Sequence, residues 1–161
     1  MTDRSTQKGV RPKRILVVDD EKQICNIITT MLVAAGYGCR EAASGLEALA
    51  MLESGDQFDL MLSNLLMPDL DGFALLERTQ RQYPDMFVVI VTGEHDVSVA
   101  LSAIRNGAFD CLMKPFEHEQ LLDTVSRALE KQSLELEQRA YISNLESQVA
   151  TLTEKLRGRK S

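Results

Sequence analysis

Two aspartates, an asparagine, a threonine and a lysine stand at the ends of successive apolar segments of this 161-residue chain. In chain order they are Asp19 and Asp20 after ILVV, Asn64 after DLMLS, Thr92 at the end of FVVIVT, and Lys114 after CLM. Carboxylate and carbonyl oxygens are the ligands that Mg²⁺ prefers in proteins. A lysine ammonium and a threonine hydroxyl can bind the oxygens of a phosphoryl group. These side chains therefore suit metal-assisted phosphoryl binding if the fold brings them together.

A purely structural interpretation competes for the first of these groups. Asp19, Asp20 and Glu21 would also be favoured as acids at a helix N-terminus, where the helix dipole attracts negative charge. That interpretation explains one acidic group but leaves the polar residues after the other apolar segments without a reason.

The segments that must position these residues alternate between two patterns. Short β-branched and apolar runs predict strands at 15–18, 37–43, 58–63, 87–92 and 109–113. Apolar residues at three- and four-residue spacing predict the intervening helices, one of them capped by Ser44 and one closed by Gly107. Strands that alternate with helices indicate an open parallel sheet covered on both faces, with a crevice beyond the C-terminal strand ends.

Composition excludes several classes of protein. The chain is 44% hydrophobic, has no apolar run of membrane-spanning length, and has no signal-peptide core at its N-terminus, so we expect a cytoplasmic protein. Cys25, Cys39 and Cys111 are too few and wrongly spaced for a disulfide framework or a zinc site. Residues 15–116 carry 15 acids against six bases, which disfavours nucleic-acid binding by this chain. The basic residues at the N-terminus are interpreted as a solvated leader over 1–12.

A long helical pattern without Pro or Gly ends the chain, reaching about Arg157. Its apolar residues step by three and four as in a coiled-coil seam, namely Ile142, Leu145, Val149, Leu152 and Leu156. An upstream seam of different phase indicates a stutter near 133–141. An apolar stripe on an isolated helix would face water, so we predict a homodimer through a parallel coiled coil, in preference to a helix folded back on its own domain.

Four motifs, ILVVDDE, DLMLSN with LLMPDLDG, VIVTGE and GAFDCLMKPF, resemble in order and spacing those of the receiver domain of two-component response regulators. The resemblance covers about residues 13–130. It implies a flavodoxin-like, doubly wound, five-stranded parallel sheet, to which this chain adds the long C-terminal helix. It makes the remaining segments the basic leader at 1–12 and a helical coiled-coil extension at 131–161.

The resemblance also implies roles for the strand-end residues. Asp20 would be a direct Mg²⁺ ligand, Asp19 the outer acid, and the backbone carbonyl of Leu66 a further ligand. Thr92 and Lys114 would bind the phosphoryl group that a histidine kinase or phosphotransfer protein donates. The implied function is that of a signalling module and not an enzyme.

The sequence departs from the family at its central position. The phosphate-accepting aspartate is replaced by Asn64, whose neutral amide is a poor nucleophile and whose lost charge would weaken Mg²⁺ binding. We therefore expect no stable phosphorylation of the chain as written. Asn64 is either an engineered replacement of aspartate or the natural residue of a receiver that works without phosphate.

A second departure is Cys111, at the switch position that usually carries an aromatic residue and acts together with Thr92. Cysteine is too small for an aromatic rotamer switch, so any switching must use a loop or a dimer face. His95 is interpreted as a solvated loop residue, Asp69 and Asp71 as turn formers, and Phe109 as part of the core.

Three functions remain open. The first is a receiver that signals through its dimeric helix, with an output domain elsewhere or by pairing with the coiled coil of a partner. The second is a vestigial receiver that acts only as a coiled-coil dimerisation module. The third is a phosphatase of the haloacid type, which would need an aspartate nucleophile that Asn64 does not provide.

Overall fold

The computed structural model describes residues 11–93 and 97–160, with side chains up to residue 158. Five strands form one sheet whose spatial order is β2-β1-β3-β4-β5 and whose neighbouring strands are all parallel. The strands are β1 (Arg14–Val18), β2 (Gly38–Ala42), β3 (Leu60–Asn64), β4 (Phe87–Thr92) and β5 (Asp110–Met113). This is the predicted doubly wound α/β fold.

Five helices connect or follow the strands within the described residues. They are α1 (Lys22–Ala34), α2 (Gly45–Glu53), α3 (Gly72–Gln82), α4 (Val97–Arg105) and α5 (His118–Lys160). Buried residues of α1 and α5 share one core with one face of the sheet, and those of α2, α3 and α4 share a second core with the other face. The central strands are therefore covered on both sides, which is why β3 and β4 are almost continuously apolar.

Local sequence explains where the helices begin and end. The side chains of Ser44 and Asp71 accept hydrogen bonds from the backbone N–H groups of Glu47 and Ala74, and so cap α2 and α3. Gly36 follows α1 with a φ of +101°, a left-handed conformation that favours glycine. The predicted elements are confirmed, with shifts of one or two residues at some ends: β3, for example, begins at Leu60, where a strand from Phe58 was expected.

The helix α5 is continuous over 43 residues and has two distinct parts. Its first part packs on the sheet through Leu121, Val125, Ala128 and Leu129, all buried. Beyond Leu136 every described side chain is exposed. No helix in the described ranges has the length and apolar character needed to cross a lipid bilayer.

Candidate functional site

The predicted residues meet at the C-terminal edge of the sheet. Asp19 and Asp20 follow β1, Asn64 ends β3, Thr92 ends β4, and Lys114 follows β5. Because β1, β3, β4 and β5 are consecutive neighbours, their ends form one continuous rim. The topology thus places Asp19 and Asp20 next to Asn64, and Thr92 and Lys114 at the two strand ends that follow along the rim.

Asp19 is the buried acid of the crevice, with 2% of its surface exposed. One of its carboxylate oxygens accepts from the backbone N–H of Glu21 at 2.9 Å, and the other contacts the Nζ of Lys114 at 3.1 Å. This ion pair links the end of β1 to the end of β5. Burying an unpaired carboxylate is costly, so Lys114 also has a structural role here.

Asn64 lies at the centre of the crevice, and its amide nitrogen is turned toward two oxygens. Nδ2 donates to the backbone carbonyl of Leu66 at 2.8 Å and to the carboxylate of Asp20 at 3.4 Å. These are the same two oxygens that the resemblance assigns to Mg²⁺. The amide therefore satisfies, with its two hydrogens, the acceptors that would otherwise face a cation.

Thr92 and Cys111 lie on the same side of the sheet. Thr92 is 1% exposed, and its backbone carbonyl accepts from the N–H of Lys114 at 2.8 Å. Cys111 pairs in register with Ile90, two residues before Thr92, and packs partly buried against the core below α2, α3 and α4. Desolvation, reinforced by the charge of Asp110, raises the pKa of the Cys111 thiol, so this residue is a neutral packing group at ordinary pH.

The loop between β3 and α3 is held by its two acids, which the sequence analysis interpreted as turn formers. Asp71 caps α3, and the carboxylate of Asp69 accepts from the N–H groups of Leu46 at 3.2 Å and Leu70 at 2.6 Å. Partial desolvation acts to raise the pKa of Asp69, but these hydrogen bonds outweigh it and keep the pKa below its usual value. The carbonyl of Leu66 therefore lies on a loop anchored at both ends.

The donor atoms are of the kind that a hard divalent cation binds. With Asn64 in place of an aspartate, however, the site carries one negative charge fewer. Asp19, Asp20 and the Leu66 carbonyl offer oxygen ligands, and Asn64 can offer its carbonyl oxygen only by turning its amide around. Among the described residues, no group of three or more His, Cys, Asp or Glu side chains lies close enough together to hold a metal. His95 lies outside the residues that the structure describes.

Comparison with known proteins defines the class. The profile of the response regulator receiver domain matches residues 15–126, and the chain belongs to this family. Receiver domains are signalling modules of two-component systems; they interact with histidine kinases and normally bind Mg²⁺ at the phosphorylation site.

One relative is the C4-dicarboxylate transport transcriptional regulatory protein DctD of Rhizobium meliloti (strain 1021), which is 35% identical over 78% of this chain. Another is the DNA-binding transcriptional regulator NtrC of Salmonella typhimurium (strain LT2), which is 37% identical over 76% of this chain. The chain spans 27% and 25% of their lengths. A receiver domain from Methanospirillum hungatei JF-1 superimposes with a TM-score of 0.73 at 33% identity, covering 78% of this chain and 99% of that chain. NtrX from Brucella abortus superimposes with a TM-score of 0.75 at 35% identity, covering 79% of this chain and 29% of that chain.

Sequence reasoning did not identify the polar contacts at the opposite end of the sheet. Gln132 is 3% exposed, and the carboxylate of Asp59 accepts from Arg11 and from the backbone N–H of Arg14. The available signal was a glutamine at a position of α5 where the packing face requires an apolar residue.

Proposed function

We propose that this chain is a receiver module whose crevice keeps the parts of a phosphoryl-binding site except the nucleophile, and whose α5 pairs with a second copy of the chain to transmit its state. The contact that carries the first part is the one from Asn64 Nδ2 to the Leu66 carbonyl at 2.8 Å. It holds position 64 in the off state, because an amide that donates to the ligand oxygens cannot attack phosphorus through an anionic oxygen.

The rest of the crevice supports the proposal. Asp20 and the Leu66 carbonyl lie within reach of position 64, and Lys114 is held on Asp19 beside them. Mg²⁺ would be held by Asp20, the Leu66 carbonyl and the carbonyl oxygen of a turned Asn64, with Asp19 behind them, and would supply charge neutralisation for a phosphoryl group. Lys114 and Thr92 would bind the phosphoryl oxygens. A histidine kinase or phosphotransfer protein would be the partner that recognises this crevice.

Mg²⁺ affinity tests the role of position 64. Titration calorimetry should show that Asn64→Asp binds Mg²⁺ at least about tenfold more tightly than the chain as written, because the variant gains a charge and removes the competing amide hydrogens. The matched control is Asn106→Asp, which adds the same charge at an exposed residue at the end of α4. Equal Mg²⁺ affinity for the Asn64→Asp variant and the chain as written would contradict the proposed site.

The exposed part of α5 supports the second part. Ile142, Leu145, Val149, Leu152 and Leu156 are between 41% and 61% exposed and lie along one face. The β-branched Ile142 and Val149 alternate there with Leu145 and Leu152 in the a and d positions of a heptad, a pattern that favours two parallel strands, and Leu156 takes the next a position. We propose a second copy of this chain as the partner, and an output domain of a longer protein as the recipient of the signal.

One alternative rests on the same helix. A vestigial receiver would use α5 only for dimerisation and would leave the crevice without chemistry. It predicts that Asn64→Asp changes neither Mg²⁺ affinity nor phosphoryl uptake, so the same titration separates the two functions.

A further inference from the structure

Gln132 ties two strands of the sheet to α5 at the end opposite the crevice. Its Nε2 donates to the backbone carbonyl of Asp59 at 3.2 Å and to that of Asp85 at 3.0 Å. Asp59 directly precedes β3, and Asp85 lies two residues before β4. Both amide hydrogens of one side chain are thus used to hold the starts of two adjacent strands.

Asp59 extends this connection to a third strand. Its carbonyl also accepts from the N–H of Phe87 at 3.2 Å, and its carboxylate accepts from the N–H of Arg14 at 2.9 Å and pairs with Arg11 at 3.3 Å. The starts of β1, β3 and β4 and the side of α5 therefore meet at Asp59.

The same strands end at the crevice. β3 runs from this connection to Asn64, and β4 runs to Thr92, over a distance of about 16 Å at the usual rise of a strand. β3 and β4 are paired in register over this length, from Leu60 with Phe87 to Asn64 with Val91. A displacement of β3 against β4 at the crevice therefore changes the spacing of the two carbonyls that Gln132 holds.

Gln132 lies where α5 leaves the domain, so a change in the spacing of the two carbonyls would act on the helix at its point of exit. It is the last fully buried residue before the helix leaves the domain. After it, the described polar contacts between α5 and the domain are Ser133 with Lys13 at 3.0 Å and Arg139 with Asp85 at 2.8 Å, the second between exposed side chains.

The surroundings leave this junction room to rearrange. A cavity of about 510 Å³ borders Gln132 and Leu136 and is also lined by Phe58, Tyr83 and Met86. The Oε1 of Gln132 is buried, and no group of the described residues donates a hydrogen bond to it. The polar contacts of this side chain within the described residues are therefore the two hydrogen bonds that it donates.

We infer that Gln132 is a positioning residue that couples the relative placement of β3 and β4, and so the state of the crevice, to the direction of the α5 extension. The inference rests on the proposed function in taking α5 as the output of the receiver. Because such coupling is reciprocal, loosening Gln132 must also loosen the crevice end of the same strands.

Hydrogen exchange on the full chain tests this reciprocity without phosphorylation. Gln132→Met keeps the side-chain length and removes both donors, and Gln138→Met makes the same change at an exposed position about one and two-thirds turns further on. We expect Gln132→Met to speed exchange several-fold both near residue 132 and at the crevice ends of β3 and β4, and Gln138→Met to do neither. Faster exchange confined to the junction would show a local structural role, and an equal increase in β2, which Gln132 does not contact, would show a general loss of stability; either result would overturn the inference.

A second variant and a second background keep the test decisive. Gln132→Ala, which removes both donors without adding a charge or a longer side chain, should reproduce the remote effect if Gln132→Met fails to fold. In Asn64→Asp, phosphorylation with acetyl phosphate should change exchange in residues 130–140, and adding Gln132→Met should abolish that response while phosphoryl uptake continues. If the response survives Gln132→Met, the inference is overturned but the proposed function is not. If Asn64→Asp takes up no phosphoryl group, the proposed function is overturned. The exchange comparison in the unphosphorylated chain then decides the coupling.

Discussion

The ion pair of Lys114 with Asp19 joins structure and chemistry in one contact. Lys114 is 19% exposed at its side chain and Asp19 2%, with 3.1 Å between the charged atoms. If Lys114 is removed, the backbone N–H of Glu21 is the one group of the described residues that still donates a hydrogen bond to the Asp19 carboxylate. The pair is thus needed even when no phosphoryl group is bound.

We expect Lys114→Met to lower the free energy of unfolding by about 1–3 kcal/mol, less than for a fully buried pair because Lys114 reaches solvent. Urea denaturation would measure the change. Lys131→Met, which removes an exposed pair with Glu135 at 3.4 Å, is the control and should change stability by less than about 0.5 kcal/mol. Equal effects of the two substitutions would show that the buried pair stabilises the fold no more than the exposed pair does.

Burial of the thiols makes the stability of the fold depend on pH. Desolvation first, and then the charges of Glu41 and Asp19, raise the pKa of Cys25 from 9.0 to about 11, and burial likewise raises that of Cys39 to about 11. Between these values the folded chain retains protons that the unfolded chain releases, so stability is complete below about pH 9 and falls as the pH rises toward about 11.

Urea midpoints at about pH 8 and about pH 10 should therefore differ, with the lower midpoint at the higher pH. In Cys25→Ala the difference should be smaller, because one of the raised thiols is gone. A midpoint that rises with pH, or a pH effect unchanged in Cys25→Ala, would contradict the assignment of burial as the cause.

At the scale of elements, the crevice depends on a close approach between the start of α3 and the end of β3. A Cβ added to Gly72 would lie 2.7 Å from the carbonyl oxygen of Asn64 and 2.8 Å from the Cα of Leu65. Both neighbours are backbone atoms at the site, so neither can yield without moving position 64.

Gly72→Ala should consequently destabilise the fold by about 1–3 kcal/mol and, in the Asn64→Asp background, weaken Mg²⁺ binding as well. Gly38→Ala places its Cβ no closer than 3.8 Å to any neighbour and serves as the control. Thermal unfolding and titration calorimetry measure the two effects. If Mg²⁺ affinity in Gly72→Ala matched that of the Gly38→Ala control, the loop would not depend on this contact.

The elements themselves could be read from the sequence because their causes are local. The apolar run of β4, the Ser44 cap and the glycine after α1 each act within a few residues. The rim of the site followed from the rule that parallel strands present their C-terminal ends at one edge. Strand ends were less predictable: Phe58 is apolar and buried but precedes the hydrogen-bonded ladder of β3.

The contacts that could not be predicted join residues far apart in the chain. Gln132 meets Asp59 and Asp85 through backbone carbonyls, which leave no trace in side-chain type. The direction of the Asn64 amide was equally hidden, because it depends on where the loop places the Leu66 carbonyl. The division of the chain at residues 12 and 130 stays a prediction.

At the scale of the whole molecule, the two apolar faces of α5 point in different directions. The face packed on the sheet is centred near Leu121, Val125 and Ala128, and the exposed face near Leu145 and Val149. At about 100° per residue these faces are about a third of a turn apart. The exposed face is therefore no continuation of the packing surface of its own domain.

The double substitution Leu145→Lys and Leu152→Lys should dissociate the dimer. We expect its dissociation constant to rise at least about a hundredfold, which corresponds to about 2.7 kcal/mol. The control is the double substitution Ser147→Lys and Thr151→Lys on the opposite exposed face of the same helix, which should leave the dimer intact. Sedimentation equilibrium measures both. A chain that is monomeric as written, or equal dissociation in both double variants, would contradict pairing through the seam.

The most direct test of the central claim is the intact mass of the chain and of Asn64→Asp after incubation with acetyl phosphate and Mg²⁺, with Asn106→Asp alongside. The crevice as described predicts that only Asn64→Asp gains the mass of one phosphoryl group, because the amide at position 64 is the single block. A gain by the chain as written, or none by Asn64→Asp, would contradict it.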